Sequence, residues 1–87
     1  MKEKLDLLPR IFADIPAEER ESARLTFAIS DRIYNLMQER GLSKKQFANA
    51  LGKRPSEVTK WLSGQHNFTI STLAMISAFF GKSIINV

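Results

Sequence analysis

Residues 40 to 64 read RGLSKKQFANALGKRPSEVTKWLSG, and the side chains able to do chemistry are concentrated there. Ser56, Thr59 and Ser63 offer hydroxyls, Lys60 an ammonium, and Lys44, Lys45, Lys53 and Arg54 further positive charge. Such groups donate hydrogen bonds and neutralise anions. Between residues 40 and 60 six cations stand against one anion, Glu57. A cluster of that kind fits a polyanion such as nucleic acid, or a basic face that is simply solvated.

The residues needed for other chemistries are missing or already explained. The chain has no cysteine and a single histidine, His66, so a thiolate site, a histidine-based metal site and a nucleophilic triad all lack their parts. Glu18, Glu19 and Glu21 fall where a helix is expected to begin, and the helix dipole accounts for acidic residues there. No glycine-rich phosphate loop occurs. No catalytic residue, metal or cofactor is therefore expected. The opening MKEKLDLLPR is too charged for a secretory signal, and no apolar run approaches the ~18 residues of a membrane span, so a cytoplasmic protein is expected.

At 87 residues the chain has room for one domain. Charge divides it unevenly. Residues 1–22 hold four cations and six anions, whereas residues 23–87 hold nine cations and three anions. The expected organisation is an amino-terminal extension over 1–22 and a basic domain over 23–87.

Helices must position the basic segment. Pro16 to Arg40 has apolar residues at helical spacing, Leu25, Ile29, Ile33, Leu36 and Met37, and Gly41 stops it. That helix is expected either continuous or broken near residue 22. Ser43 and Gln46 have the spacing of a capping box, with Leu42 stapled to Phe47, which predicts a short helix over Lys44 to Leu51. Gly52 supplies the positive φ of a tight turn, and Pro55 suits the first position of a third helix expected to reach Ser63. Thr69 predicts the cap of a fourth, with Phe68 stapled to Leu73 and an apolar face of Leu73, Ile76 and Phe80 running to Gly81. The tail KSIINV reads as a strand, a packing extension or a dimer contact.

In the third helix, burying Val58, Trp61 and Leu62 turns Ser56, Thr59, Lys60 and Ser63 outward together, with Pro55 and Glu57 at the leading end. Such a stripe has the shape and groups to enter a DNA major groove. Lys60 suits guanine O6 and N7, Glu57 can accept from cytosine N4, and Thr59 or Pro55 can touch a thymine methyl. The plainer alternative is that short polar residues keep a surface helix soluble. Trp61 could stack on bases, but its place beside Val58 makes it core.

Ala48, Gly52 and Val58, together with GLSKKQFANALG, TKWLSG and HNFTISTLAMISAFFG, resemble the Cro and phage-repressor type of helix-turn-helix protein, the XRE family, over roughly residues 27 to 81. The resemblance implies an all-α fold, a compact bundle of four to five helices like that of lambda repressor, and a regulator that binds double-stranded DNA. It implies base-reading by Pro55, Ser56, Glu57, Thr59 and Lys60. Phosphate contacts then fall to Lys44, Lys45, Gln46, Lys53, Arg54, Ser63, Gln65 and Asn67, with plain solvation the alternative for the lysines and a simple polar loop for Gln65, His66 and Asn67.

Two positions depart from the family pattern: Lys53 stands where an apolar residue is usual, and Arg54 where a Ser or Thr cap is usual. Either a phosphate sits between these cations at the helix start, or Ser56 caps a helix beginning one turn later.

One such module covers about 600–1,000 Å² on DNA, less than specific sites usually need, so a homodimer on a two-fold operator is expected. Phe79, Phe80, Ile84, Ile85 and Val87 are its candidate contacts, or else core. The small size is also similar to HigA-like antitoxins, which implies a toxin protein as partner; Leu5, Leu7, Leu8, Ile11 and Phe12 would grip it or cap the bundle. No membrane and no small-molecule ligand is expected. A different class of function on the same fold is a protein-binding adaptor, and an RNA-binding module is a third, weakened by the lack of aromatic platforms.

Overall fold

The computed structural model describes residues 15–85. It consists of four helices, α1 (Ala17–Glu39), α2 (Lys44–Leu51), α3 (Pro55–Trp61) and α4 (Ile70–Phe80), with no strand among the described residues. The leading apolar residues Leu5, Leu7, Leu8, Ile11 and Phe12, and Val87, lie outside them.

α1 starts directly after Pro16, with Glu18 and Glu19 in its first turn, and passes residue 22 without a break. Ile29, Ile33, Leu36 and Met37 are buried as their spacing predicts. Leu25 is not: it is 40 % exposed, because the amino-terminal turns of α1 run beyond the elements that would cover it. Periodicity identifies an apolar face but not where its covering partners end.

The remaining helices are held by local rules that operate at a spacing of three residues. Ser43 Oγ accepts from the Gln46 N–H at 3.1 Å while Gln46 Oε1 accepts from the Ser43 N–H at 2.9 Å, so the box that opens α2 is complete. Thr69 Oγ1 accepts from the Thr72 N–H at 3.2 Å and opens α4. The carboxyl end of α4 is closed from a distance: Arg40 donates to the Phe80 carbonyl at 2.6 Å and the Phe79 carbonyl at 3.3 Å. A cation at this end also meets the negative pole of the helix dipole.

Phe47 of α2 is fully buried and organises the core. Its ring lies 5.9 Å from Trp61 in an edge-on arrangement, 5.5 Å from Phe79 and 5.3 Å from Phe80, separations at which aromatic pairs attract beyond their buried area. Leu42 and Phe68 pack against this core as expected of staples. Phe80 and Ile84 are buried within the chain and Phe79 and Ile85 half-buried against it, so up to Ile85 the tail packs on the chain's own core and forms no strand. The Ile84 N–H donates to Ser77 Oγ at 3.1 Å and Arg32 donates to the Ser83 carbonyl at 3.3 Å.

Candidate nucleic-acid interface

α2 and α3 form one unit about Gly52. Its φ of +70° and ψ of 30° lie in the left-handed region, and the next residue's N–H reaches back to the Ala48 carbonyl at 2.8 Å. Ala48 is fully buried, and a larger side chain there would push the two helices apart. The turn thereby fixes the direction in which α3 leaves α2.

α3 starts at Pro55 with Arg54 in the N-cap position, so a helix capped by Ser56 one turn later is not what forms. The Arg54 side chain makes no capping hydrogen bond. Instead a Glu57 Oε2 accepts from the Arg54 N–H at 2.9 Å, the reach-back half of a capping box. That bond offsets the missing Ser or Thr and gives Glu57 a structural task. The helix stops at Trp61, two residues short of the expected Ser63. Two hydroxyls take the last carbonyls: Ser63 Oγ donates to the Lys60 carbonyl at 2.7 Å and Ser30 Oγ to the Trp61 carbonyl at 2.6 Å.

Val58 is fully buried, Trp61 nearly so, and Leu62 packs against the same core. Ser56, Thr59, Lys60 and Ser63 are all exposed. At roughly 100° per residue Ser56, Thr59 and Lys60 fall within an arc of about 100°, opposite Val58 and Trp61, and Ser63 follows just past the helix end. Pro55 is exposed and Glu57 half-buried at the leading end. Thr59 Oγ1 donates to the Pro55 carbonyl at 3.2 Å, so its methyl and the oxygen's lone pairs are what it presents outward.

The cations around this stripe are exposed without exception: Lys44 and Lys45 in the first turn of α2, Lys53 and Arg54 in the turn. None of the four makes a salt bridge among the described residues. Arg40, which adds to the charge of the segment in sequence, is withdrawn from it; its guanidinium lies 5.7 Å and 5.2 Å from the ring centres of Phe79 and Phe80 as well as on their carbonyls. The usable basic cluster is thus Lys44, Lys45, Lys53, Arg54 and Lys60. Gln46 commits its oxygen to the cap and keeps its NH₂ for another acceptor. After α3, Gln65 and Asn67 are exposed, while His66 is half-buried with its ring edge-on to Phe68 at 4.8 Å.

Sequence reasoning missed two polar residues of α1 that reach this region, Thr26 and Ser30. The signal for Ser30 was present: it falls on the same helical side as Ile33 and Met37, a polar residue within an apolar face.

The family model described as helix-turn-helix matches residues 33–85, a span that starts in the middle of α1 and takes in α2, α3 and α4. The chain belongs to this helix-turn-helix family, of the XRE type, a family of DNA-binding transcription regulators that are typically not enzymes. Neither a curated protein nor a solved structure matches it. No helix among the described residues is long and apolar enough to cross a membrane.

Proposed function

We propose that this chain is a sequence-specific repressor that binds double-stranded DNA in the cytoplasm as a homodimer, with residues 23–87 as the DNA-binding domain. α3 enters the major groove, where Pro55, Ser56, Glu57, Thr59 and Lys60 meet base edges. Lys44, Lys45, Gln46, Lys53, Arg54, Ser63, Gln65 and Asn67 meet phosphates on either side. The observation that carries the reading is the division of a seven-residue helix into a buried Val58–Trp61 side and an exposed hydroxyl and lysine side, bordered by cations that make no salt bridge among the described residues. A gel-shift titration against salt tests it: four lysine and arginine contacts give a slope of log K on log salt of roughly −4. A slope near zero, or no preference for any duplex sequence, would sink it.

Autoregulation, and a role as the antitoxin of a toxin pair, extend the same proposal. The signal in this proposal is a protein partner or the chain's own concentration. Binding to the DNA upstream of its own gene, measured with and without the neighbouring gene's product, tests both together. Failure of that DNA to shift overturns autoregulation; failure of the neighbouring product to bind overturns the antitoxin role.

The second reading, a protein-binding adaptor, has its own supporting observation. A groove of about 380 Å³ runs between the amino-terminal half of α1 and the start of α4, lined by Leu25, Ile29, Phe68, Ile70 and Leu73. Glu18 and Glu21 border it, and the Arg24 hydrogen bond and charge hold the Glu21 carboxyl below its usual range. Under this reading Lys60→Ala and Thr59→Ala are without effect in DNA assays.

A further inference from the structure

Side chains of α1 form a clasp around a single residue, Gly64, just beyond α3. Ser30 is the one buried polar residue among the described residues, at 5 % exposure. Its hydroxyl donates to the Trp61 carbonyl at 2.6 Å and accepts from the Gly64 N–H at 3.1 Å, so both its donor and an acceptor lone pair are used. One turn earlier Thr26 Oγ1 lies 3.2 Å from the Gly64 carbonyl, sharing its proton with the Ala23 carbonyl at 3.0 Å. Both polar groups of the Gly64 backbone are therefore held by side chains of α1. Phe27 closes the third side: Gly64 has a φ of +81°, and a Cβ added there would meet Phe27 Cδ2 at 3.2 Å. Thr26, Phe27 and Ser30 all precede residue 33, where the family match begins.

The segment from Ser63 to Asn67 has few other anchors: the His66 ring lies edge-on to Phe68 at 4.8 Å, and Phe68 packs against the core. It contains no helix, and within it the Gln65 N–H to Ser63 Oγ bond at 3.1 Å is local. Yet Ser63, Gln65 and Asn67 all branch from it. A segment that must be ordered at the moment of binding subtracts its lost entropy from the affinity, whereas one ordered beforehand does not. We propose that Ser30 and Thr26 are positioning residues for DNA binding, which hold the Ser63–Asn67 segment in the shape that meets the phosphate backbone. The proposal rests on the reading that this segment touches DNA.

The test uses the full chain and a duplex recovered by selection from a random-sequence library. Ser30→Ala and Thr26→Val are each compared with the parent at a temperature where circular dichroism shows all of them folded. Each binds about tenfold more weakly, equivalent to ~1.4 kcal/mol, while the salt slope stays that of the parent because Ser63, Gln65 and Asn67 carry no charge. In the background Gln65→Ala/Asn67→Ala the loss shrinks, since of the three side chains only Ser63 is then left to position. A general weakening of the fold would give the same factor in both backgrounds, and that result overturns the proposal. So does binding within twofold of the parent by both clasp variants. If Ser30→Ala does not fold, Thr26→Val carries the same cycle. Undiminished binding by Gln65→Ala/Asn67→Ala alone identifies the assignment of the segment to DNA as the point of failure, and the proposal falls with it.

Discussion

The Arg40 guanidinium donates to the Phe80 carbonyl at 2.6 Å across 40 residues of sequence, so the last residue before the Gly41 turn closes the carboxyl end of α4. A cation that composition assigns to the basic face is thus part of the bundle's frame. Arg40→Ala should lower stability by about 1–2 kcal/mol, the order of one charge-assisted hydrogen bond and its helix-end contribution. The midpoint of urea unfolding measures this. At a temperature where the variant is folded, its salt slope for DNA should equal the parent's.

The lysines that are free should behave in the opposite way. Lys45→Ala and Lys53→Ala should leave the unfolding midpoint nearly unchanged and each reduce the magnitude of the salt slope by about 0.9. Gel shifts at four or five salt concentrations provide the slope. Lys60→Ala should differ from both: about 1–3 kcal/mol of discrimination lost at a single base position, read as relaxed preference there in a substitution scan of the duplex.

Gly64 and Gly52 both have positive φ but different surroundings, and alanine should separate them. At Gly52 an added Cβ has nothing within 4 Å, so Gly52→Ala should cost only the backbone term, about 1–2 kcal/mol. At Gly64 the same term is joined by the contact with Phe27, so Gly64→Ala should cost more, and Phe27→Ala in the same chain should recover the excess. Thermal unfolding of these three variants and of Phe27→Ala alone decides it; equal costs at the two glycines would contradict the contact of Gly64 with Phe27.

Ala48 tests the crossing of α2 and α3. Ala48→Leu adds three carbons at a site with no exposure and should destabilise by about 1–3 kcal/mol by overpacking. Because the crossing sets the direction of α3, affinity for the selected duplex should fall further than the loss of folded protein accounts for.

Features governed by near neighbours were legible in the sequence. Ser43 with Gln46, the turn at Gly52, Pro55 as the first residue of α3 and Thr69 as a cap all act over three or four residues, and each formed where its spacing placed it. Glu57 over Arg54 acts at the same range and was equally legible, but its carboxylate was read as facing outward. What could not be read were contacts across the fold. Ser30 with Gly64 spans 34 residues and Arg40 with Phe80 spans 40, and no spacing rule reaches that far. The same limit explains Leu25: a helical period assigns it a side, while the cover on that side depends on where α4 begins. The early end of α3 follows from the clasp as well, since Ser30 takes the Trp61 carbonyl from a different helix.

The inward and outward sides of the α3 region share no residue: Val58 and Trp61 supply the packing, whereas Ser56, Thr59, Lys60 and Ser63 are exposed and none of them belongs to the core. Swapping those four outward positions therefore leaves the interior volume untouched. A combinatorial library at just these sites should yield mostly well-folded members with divergent target preferences, so that descendants of this chain could acquire new addresses in a genome without rebuilding the scaffold beneath.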